Sequence, residues 1–517
     1  MLRLSSPVGE IKVTSVASSS LLEQYLAAAN GKRDTAAIAF YAALDHVRAT
    51  SPVVAEAILR ELRDQRSNLK LIASENYSSL AVQLAHANLL TDKYAEGYPF
   101  HRFYAGCENV DRIEAEACRL ARELFGAEYA YVQPHSGADA NLVAFMAILS
   151  SRVQMPLLEK LGYKDPTNAP RDIWNQIRAE VGNQRLLALD FACGGHLTHG
   201  YRRNISAQLF DAYSYGVDPE TYQINLDALR AQVQEVKPLV LLAGYSAYPR
   251  KINFAKMREI ADEVGAVFMV DMAHFSGLVA GKVFTGDYNP VAHAHIVTST
   301  THKTLRGPRS GIVLATAEMG AWVDKGCPLV IGGPLPHVMA AKAVAFQEAL
   351  RPEFVEYAHQ IVKNAQALAE YCLQESLPVL TGGTDNHLLL IDVSQRYGIT
   401  GRQAEMALRE CGITLNRNAI PFDRNGAWFT SGLRIGTPAV TTLGMKEPQM
   451  AEIARLLAEV LPHVQPDRAP DGSLSKGKYS LDAQVAHTAK QKVKDLLQQF
   501  PLYPELNLPD LPVTQDA

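Results

Sequence analysis

From about residue 115 onward, short apolar runs alternate with stretches spaced like helices. The runs cover 129–132, 186–189, 239–242, 267–270 and 296–299, and helical stretches such as 114–125, 139–149 and 254–264 lie among them. Runs of this length suit strands. Their apolar character suits strands covered on both faces by helices. The pattern predicts an α/β fold with a large, mostly parallel sheet. Such sheets bind ligands in the crevice at the carboxyl ends of their strands. Several chemically suggestive stretches of the chain follow these predicted strands.

The richest is Ile296-Val297-Thr298-Ser299-Thr300-Thr301-His302-Lys303-Thr304-Leu305-Arg306-Gly307-Pro308-Arg309-Ser310-Gly311. Four hydroxyl residues lead to His302 and Lys303, and a Gly-Pro turn leads to a second apolar run. Lys303 is therefore expected at a strand end, among groups able to bind an anion: His302, the hydroxyls, Arg306 and Arg309. Nearby cations lower a lysine's pKa and make its amine a nucleophile. The simplest use is a Schiff base with a phosphate-bearing aldehyde. A surface lysine in a basic loop is the competing reading.

Ser136-Gly137-Ala138 lies between a strand and a helix, where free backbone N–H groups and the helix dipole favour phosphate. Asp271 ends a strand in Val270-Asp271-Met272-Ala273-His274. A carboxylate there can pair with a protonated pyridine nitrogen, bind a metal or cap a turn. In Gly194-Gly195-His196-Leu197-Thr198-His199-Gly200, His196 can stack on an aromatic ring. Metal binding by His196 and His199 would need a helix and a third ligand, and the glycines argue against the helix; no metal is expected. Arg434, in Ser431-Gly432-Leu433-Arg434-Ile435-Gly436, needs a carboxylate or phosphate partner. A substrate carboxylate and an internal salt bridge both satisfy that.

Along the chain, 1–69 reads as an N-terminal extension and helical arm. Residues 70–336 form the large domain, with a polar interruption at 151–182 that reads as an insertion. Residues 337–517 supply a connecting helix and a smaller C-terminal α/β domain, with a polar loop at 466–478. The chain has 47% hydrophobic and 20% charged residues, enough apolar content for large cores. Its 50 basic and 54 acidic residues leave no basic excess to suggest nucleic acid as the main partner. The six cysteines form no C-x-x-C pair, so a reduced compartment fits. The first twenty residues do not read as a secretory signal, and no membrane span is expected. A cytoplasmic location follows.

Taken together, Tyr94-Ala95-Glu96-Gly97-Tyr98-Pro99, the 194–200 run, Asp271-Met272-Ala273-His274, the 300–309 run, Gly332-Gly333-Pro334-Leu335 and Ser431-Gly432-Leu433-Arg434-Ile435-Gly436-Thr437-Pro438 resemble serine hydroxymethyltransferases. The resemblance follows the family's order over roughly residues 65 to 505. It implies an aspartate-aminotransferase-like (fold type I) architecture, pyridoxal 5'-phosphate bound covalently on Lys303, and tetrahydrofolate as co-substrate. It implies a homodimer or homotetramer with shared active sites, acting on serine, glycine and folate. Asp271 would pair with the pyridine nitrogen and His196 would stack on the ring. Ser246 and His274 would lie on the side of the phenolic oxygen. Ser136, Gly137 and His302 would hold the phosphate, joined by Tyr94 and Gly333 of the neighbouring subunit. Arg434 would grip the amino-acid carboxylate, with Ser74 and Leu197 also at the substrate. Glu96 and Tyr104 would reach in from the neighbouring subunit, Glu96 handling the serine hydroxyl proton.

The implied reaction moves the serine hydroxymethyl carbon to tetrahydrofolate through a pyridoxal phosphate aldimine and Cα–Cβ cleavage. Alternatives on the same cofactor are a folate-independent β-hydroxy-amino-acid aldolase and an α-methylserine hydroxymethyltransferase. A non-catalytic relative should have lost Lys303, Asp271 or Arg434, and all three are present. Phe100 and Ser310 stand where glycine is usual in the family, Phe103 where tyrosine is, Phe191 where leucine is, and Cys193 where an acidic residue or histidine is. Phe100, Phe103 and Phe191 fall on the side where the family binds folate.

Overall fold

The computed structural model describes residues 20–29, 33–468 and 471–506. The Ser-rich start of the chain lies outside them. The described residues fall into two compact units, one made of those up to 63 together with those from 503 on, the other of 64–502. In the first unit, helices Leu21–Ala28 and Thr35–Thr50 are joined where Asp45 accepts the amides of Leu21 and Leu22 at 2.8 and 3.0 Å. Helix Pro52–Ser67 begins at a proline, which suits a first helical turn because proline has no N–H to leave unpaired.

The second unit holds a seven-stranded sheet: β1 (Tyr129–Tyr131), β2 (Arg185–Leu189), β3 (Asp211–Tyr215), β4 (Val240–Gly244), β5 (Val267–Asp271), β6 (Ile296–Thr300) and β7 (Gly311–Ala315). Their order is β1-β7-β6-β5-β4-β2-β3. Only β7 runs against its neighbours, β1 and β6; the other pairs are parallel. The apolar runs are thus buried strands, for the expected reason. Leu187, Leu241, Phe268, Val297 and Ile312 enter one apolar core. Their chain neighbours Leu186, Val240, Val267, Ile296 and Val313 enter another. Side chains alternate across a strand, so a sheet with two buried faces needs apolar residues at every position.

Helices α1 (Glu108–Phe125) and α2 (Gly137–Leu149) contribute to these two cores. The helical stretch Gly137–Lys160 is long and apolar enough to cross a membrane, but half of its most apolar window is buried inside the protein. Residues 151–182, read from sequence as a polar interruption, are largely helical: a π-turn at Ser150–Gln154, then Met155–Lys160 and Arg171–Gly182. The long helical region after residue 336 is two helices, α3 (Pro336–Ala349) and α4 (Pro352–Gln374), separated just before Pro352. Beyond them, β8 (Leu388–Asp392), β9 (Asn416–Asn418) and β10 (Gly432–Gly436) form an antiparallel sheet in the order β8-β10-β9. It packs into its own core with Leu368, Leu408, Ile453 and Leu457. The stretch 466–478 is not the loop its Pro and Gly suggest. Val464–Arg468 pairs antiparallel with Leu474–Leu481, whose residues alternate between exposed and partly buried.

Candidate active site

The carboxyl ends of β1, β2, β4, β5 and β6 converge on a pocket of about 720 Å³, within the range of small-molecule sites. Ser136, Gly137, His196, Leu197, Ser246, Asp271, His274, His302, Lys303, Arg434 and Ser74 all line it, together with Phe191 and Arg309. Lys303 lies in the loop that joins β6 to β7. Thr301 Oγ1 donates to Pro308 O, Thr304 Oγ1 donates to His274 O at 2.9 Å, and Asn76 Nδ2 donates to the Lys303 carbonyl at 2.9 Å. Lys303 is only 8% exposed. Burial lowers its pKa to about 8; Asp271 opposes the shift, and Arg434 and Arg309 add to it. A lysine in this state is a usable nucleophile near neutral pH. Arg306, expected beside it, instead lies over the Tyr357 ring at 4.4 Å and is not part of the lining.

Asp271 ends β5, and a small network fixes its carboxylate. Oδ2 accepts Asn141 Nδ2 at 2.9 Å and faces His199 Nε2 at 3.1 Å, and Oδ1 accepts the Ala273 amide at 3.0 Å. Burial opposes its charge, but the His199 and Asn141 hydrogen bonds and the neighbouring imidazoles hold its pKa well below the usual carboxylate range. His196 follows two glycines that bring the chain against the strand ends. A Cβ at Gly195 would lie 2.0 Å from Leu189 O, and Gly194 takes φ +106°. The run 196–199 is a turn rather than a helix. The ligand-capable atoms of His196, His199 and Asp271 lie within 4.8 Å of one another. Burial, with His199 nearby, lowers the pKa of His196 to about 4, leaving a neutral ring at pH 7.

Ser136 caps α2, its Oγ accepting the Asp139 amide at 3.1 Å. A Cβ on Gly137 would come 2.7 Å from Thr300 Cγ2, so the helix start sits hard against β6. His302 lines the pocket, and its buried Nδ1 makes no hydrogen bond to a side chain among the described residues. Burial, Arg309 and Lys303 push its pKa down to about 3. A buried polar atom without a side-chain partner and a helix N-terminus, with Arg309 also in the lining, form a fitting seat for a phosphate.

Arg434 projects from β10. Its Nε donates to Asn416 Oδ1 at 3.0 Å and Nη1 to Ser246 O at 2.6 Å. Burial alone lowers its pKa, to about 10, and no carboxylate pairs with it among the described residues. The internal salt bridge that the sequence left open is absent there. His274 Nδ1 is 3.2 Å from His387 Nε2, and the two rings stack at 5.4 Å. Burial, with Lys303 and Arg434 close by, holds the His274 pKa well below the usual imidazole value.

Tyr94, Glu96, Tyr104 and Gly333 do not line this chain's pocket. Tyr94, Tyr104 and Gly333 lie together outside it. Tyr94 packs edge-on to Tyr104 at 4.8 Å, and its ring sits beside Gly333. Phe100 and Phe103, on and beside the neighbouring hairpin, are 71% and 69% exposed. Phe100 follows Pro99 in the hairpin turn and takes φ +65°, a conformation that favours glycine.

Sequence reasoning did not assign Asn141, His199, His387 or Asn416–Asn418. The His-x-x-His spacing was the one available signal among them; it raised a metal, which the flanking glycines argued against, and gave no hint of a carboxylate partner.

A model of the serine hydroxymethyltransferase family matches residues 47–159 and 173–457. The unmatched stretch between them falls inside 151–182. A serine hydroxymethyltransferase of Treponema pallidum (strain Nichols) is 59% identical over 493 residues, 95% of this chain and 86% of its own length. One from Salinispora tropica is 58% identical over 470 residues, covering 91% of this chain and 98% of its own. One from Mycolicibacterium smegmatis is 57% identical over 483 residues, covering 93% and 97%.

Proposed function

The chain belongs to the serine hydroxymethyltransferase family, and from that premise we propose which of its residues carry out the family's interconversion of serine and glycine. The observation that carries the assignment is the meeting, in one pocket, of a buried lysine with lowered pKa, a fixed carboxylate and an arginine with no acidic partner among the described residues. A folate-independent aldolase is not favoured, given the names of the matching relatives.

Lys303 is the covalent attachment point for pyridoxal phosphate, its lowered pKa supplying neutral amine. When bound there, the cofactor supplies an electron sink for the charge left on Cα when the Cα–Cβ bond breaks. Asp271, kept ionised, pairs with the protonated pyridine nitrogen and keeps the ring electron-poor. His196, kept neutral, offers a flat face for stacking without adding a competing positive charge. Ser136, Gly137 and His302 hold the phosphate. Ser246 and His274 flank the phenolic oxygen, and His387 backs His274.

Arg434 spends two of its five N–H groups on Asn416 and Ser246. Three remain for the substrate carboxylate, enough for a bidentate pair. Ser74 and Leu197 border the same space. Tetrahydrofolate takes the one-carbon unit on the side of the pocket that Phe191 lines.

The active unit is at least a dimer. Tyr94, Glu96, Tyr104 and Gly333 complete the neighbouring subunit's site, with Glu96 managing the proton of the serine hydroxyl. Support comes from their exclusion from their own chain's pocket and from the exposed aromatic patch around them, of the kind that marks an interface. The five cysteines whose state is described are unpaired, in keeping with a cytoplasmic location.

The test is glycine formation from serine, measured with and without tetrahydrofolate. Strong dependence on tetrahydrofolate is expected; equal rates without it would overturn the assignment of the acceptor.

A further inference from the structure

We infer that Lys342 and Ser310 are positioning residues for the anion seat at Ser136 and Gly137, acting by holding the carbonyl of Pro134. The inference rests on the proposed function and concerns how tightly that site takes a phosphate-bearing ligand.

Lys342 lies on α3, is 1% exposed, and is not part of the pocket lining. Its Nζ donates to three backbone carbonyls: Val132, Pro134 at 3.1 Å and Gly311 at 2.7 Å. Val132 and Pro134 lie between β1 and Ser136, and Gly311 opens β7 just after the Lys303 loop. Two further donors converge on the Pro134 carbonyl, Ser310 Oγ at 2.8 Å and the Gly311 amide at 3.1 Å. One oxygen two residues before the seat thus accepts three hydrogen bonds. Gly311 also touches the seat directly, since a Cβ there would lie 2.2 Å from Ser136 O. Lys342 therefore ties together the two segments that meet at Ser136.

Three carbonyl acceptors use all three N–H groups of an ammonium, whereas a neutral amine could serve only two. Burial works against that charge and lowers the Lys342 pKa to about 7, while Glu114 favours the ammonium. Glu114 is itself held by Arg102 and by Gln133 Nε2 at 2.7 Å. Burial of this amine is costly, and its three carbonyl acceptors and Glu114 offset that cost. The Ser310 hydroxyl reinforces the same carbonyl.

The experiment compares two aldehydes on cofactor-free protein, pyridoxal phosphate and pyridoxal, which lacks the phosphate. Binding is followed by the absorbance of the lysine-bound aldehyde. Ser310→Ala should weaken pyridoxal phosphate by roughly 3- to 10-fold, and Lys342→Met by more than about 30-fold, with pyridoxal changed by less than about twofold. Inorganic phosphate should compete less well against pyridoxal phosphate in both variants. Equal weakening of the two aldehydes would show a general brace, and unchanged affinity for both would show no role; either overturns the inference. If Lys342→Met does not fold, Ser310→Ala decides. Wild-type protein that binds neither aldehyde would refute the proposed function itself, a result distinct from binding that the variants leave unchanged.

Discussion

Replacing Arg434 with lysine tests the substrate anchor and has a magnitude that follows from the geometry. The guanidinium has five N–H groups. Nε and one N–H of Nη1 are committed to Asn416 and to the Ser246 carbonyl. A carboxylate meets two of the three that remain in a parallel pair. A lysine ammonium offers a single charged point with three donors, so it cannot serve both protein acceptors and a bidentate carboxylate. At least one charge-assisted hydrogen bond is lost, each contributing about 1.5–3 kcal/mol, and a partly buried acceptor is left unmatched. The total is about 2–4 kcal/mol, or roughly 30- to 1,000-fold in kcat/KM. Serine and glycine should suffer alike, since both present the same carboxylate, and cofactor affinity should hold. The assay is steady-state kinetics with serine, beside absorbance titrations with serine and glycine. Saturation of Arg434→Lys at wild-type serine concentrations would refute the anchor. Loss of pyridoxal phosphate instead would assign Arg434 to the cofactor site or the fold.

The lowered pKa of Lys303 predicts the pH dependence of pyridoxal phosphate uptake by cofactor-free protein. Only the neutral amine reacts, so the rate should rise nearly tenfold per unit below about pH 8 and level off above about pH 9; a rate still climbing steeply at higher pH would mean an ordinary lysine. Asp271→Asn removes the charge expected at the pyridine nitrogen and should lower kcat by roughly 100-fold or more while the protein still takes up the cofactor; near-normal turnover would dismiss that pairing. Mixing inactive Lys303→Ala chains with inactive Glu96→Gln chains should restore part of the activity. No recovery after demonstrated subunit exchange would contradict shared sites.

The large sheet was legible because strands such as β4 and β5 are buried on both faces and read as unbroken apolar runs. The edge strand β3 was not. Asp211-Ala212-Tyr213-Ser214-Tyr215 has one neighbour and is mostly exposed, so nothing forces its composition toward the apolar. The hairpin from 464 to 481 escaped for a related reason. Its alternation is between exposed and half-buried positions, and Pro466 and Gly472 speak for a loop.

In the site, residues at strand ends were legible because each motif carries its own chemistry. Residues acting through a second residue were not. Lys342 looks like any helix lysine until the three carbonyls around it are seen, and His199 has meaning only beside Asp271. Arg306 shows the opposite error. Sequence proximity to Lys303 suggested an anion-binding role, but a positive φ of 60° turns the chain there and the guanidinium lies over Tyr357.

The covalent role of Lys303 is the centre of the proposed chemistry, and it can be read directly. Protein loaded with pyridoxal phosphate, reduced with borohydride, digested and mapped by mass spectrometry should carry the label on the peptide containing Lys303. The Lys303→Ala chain should carry none. Labelling at another lysine, or protein that remains colourless after reconstitution with the cofactor, would contradict that role.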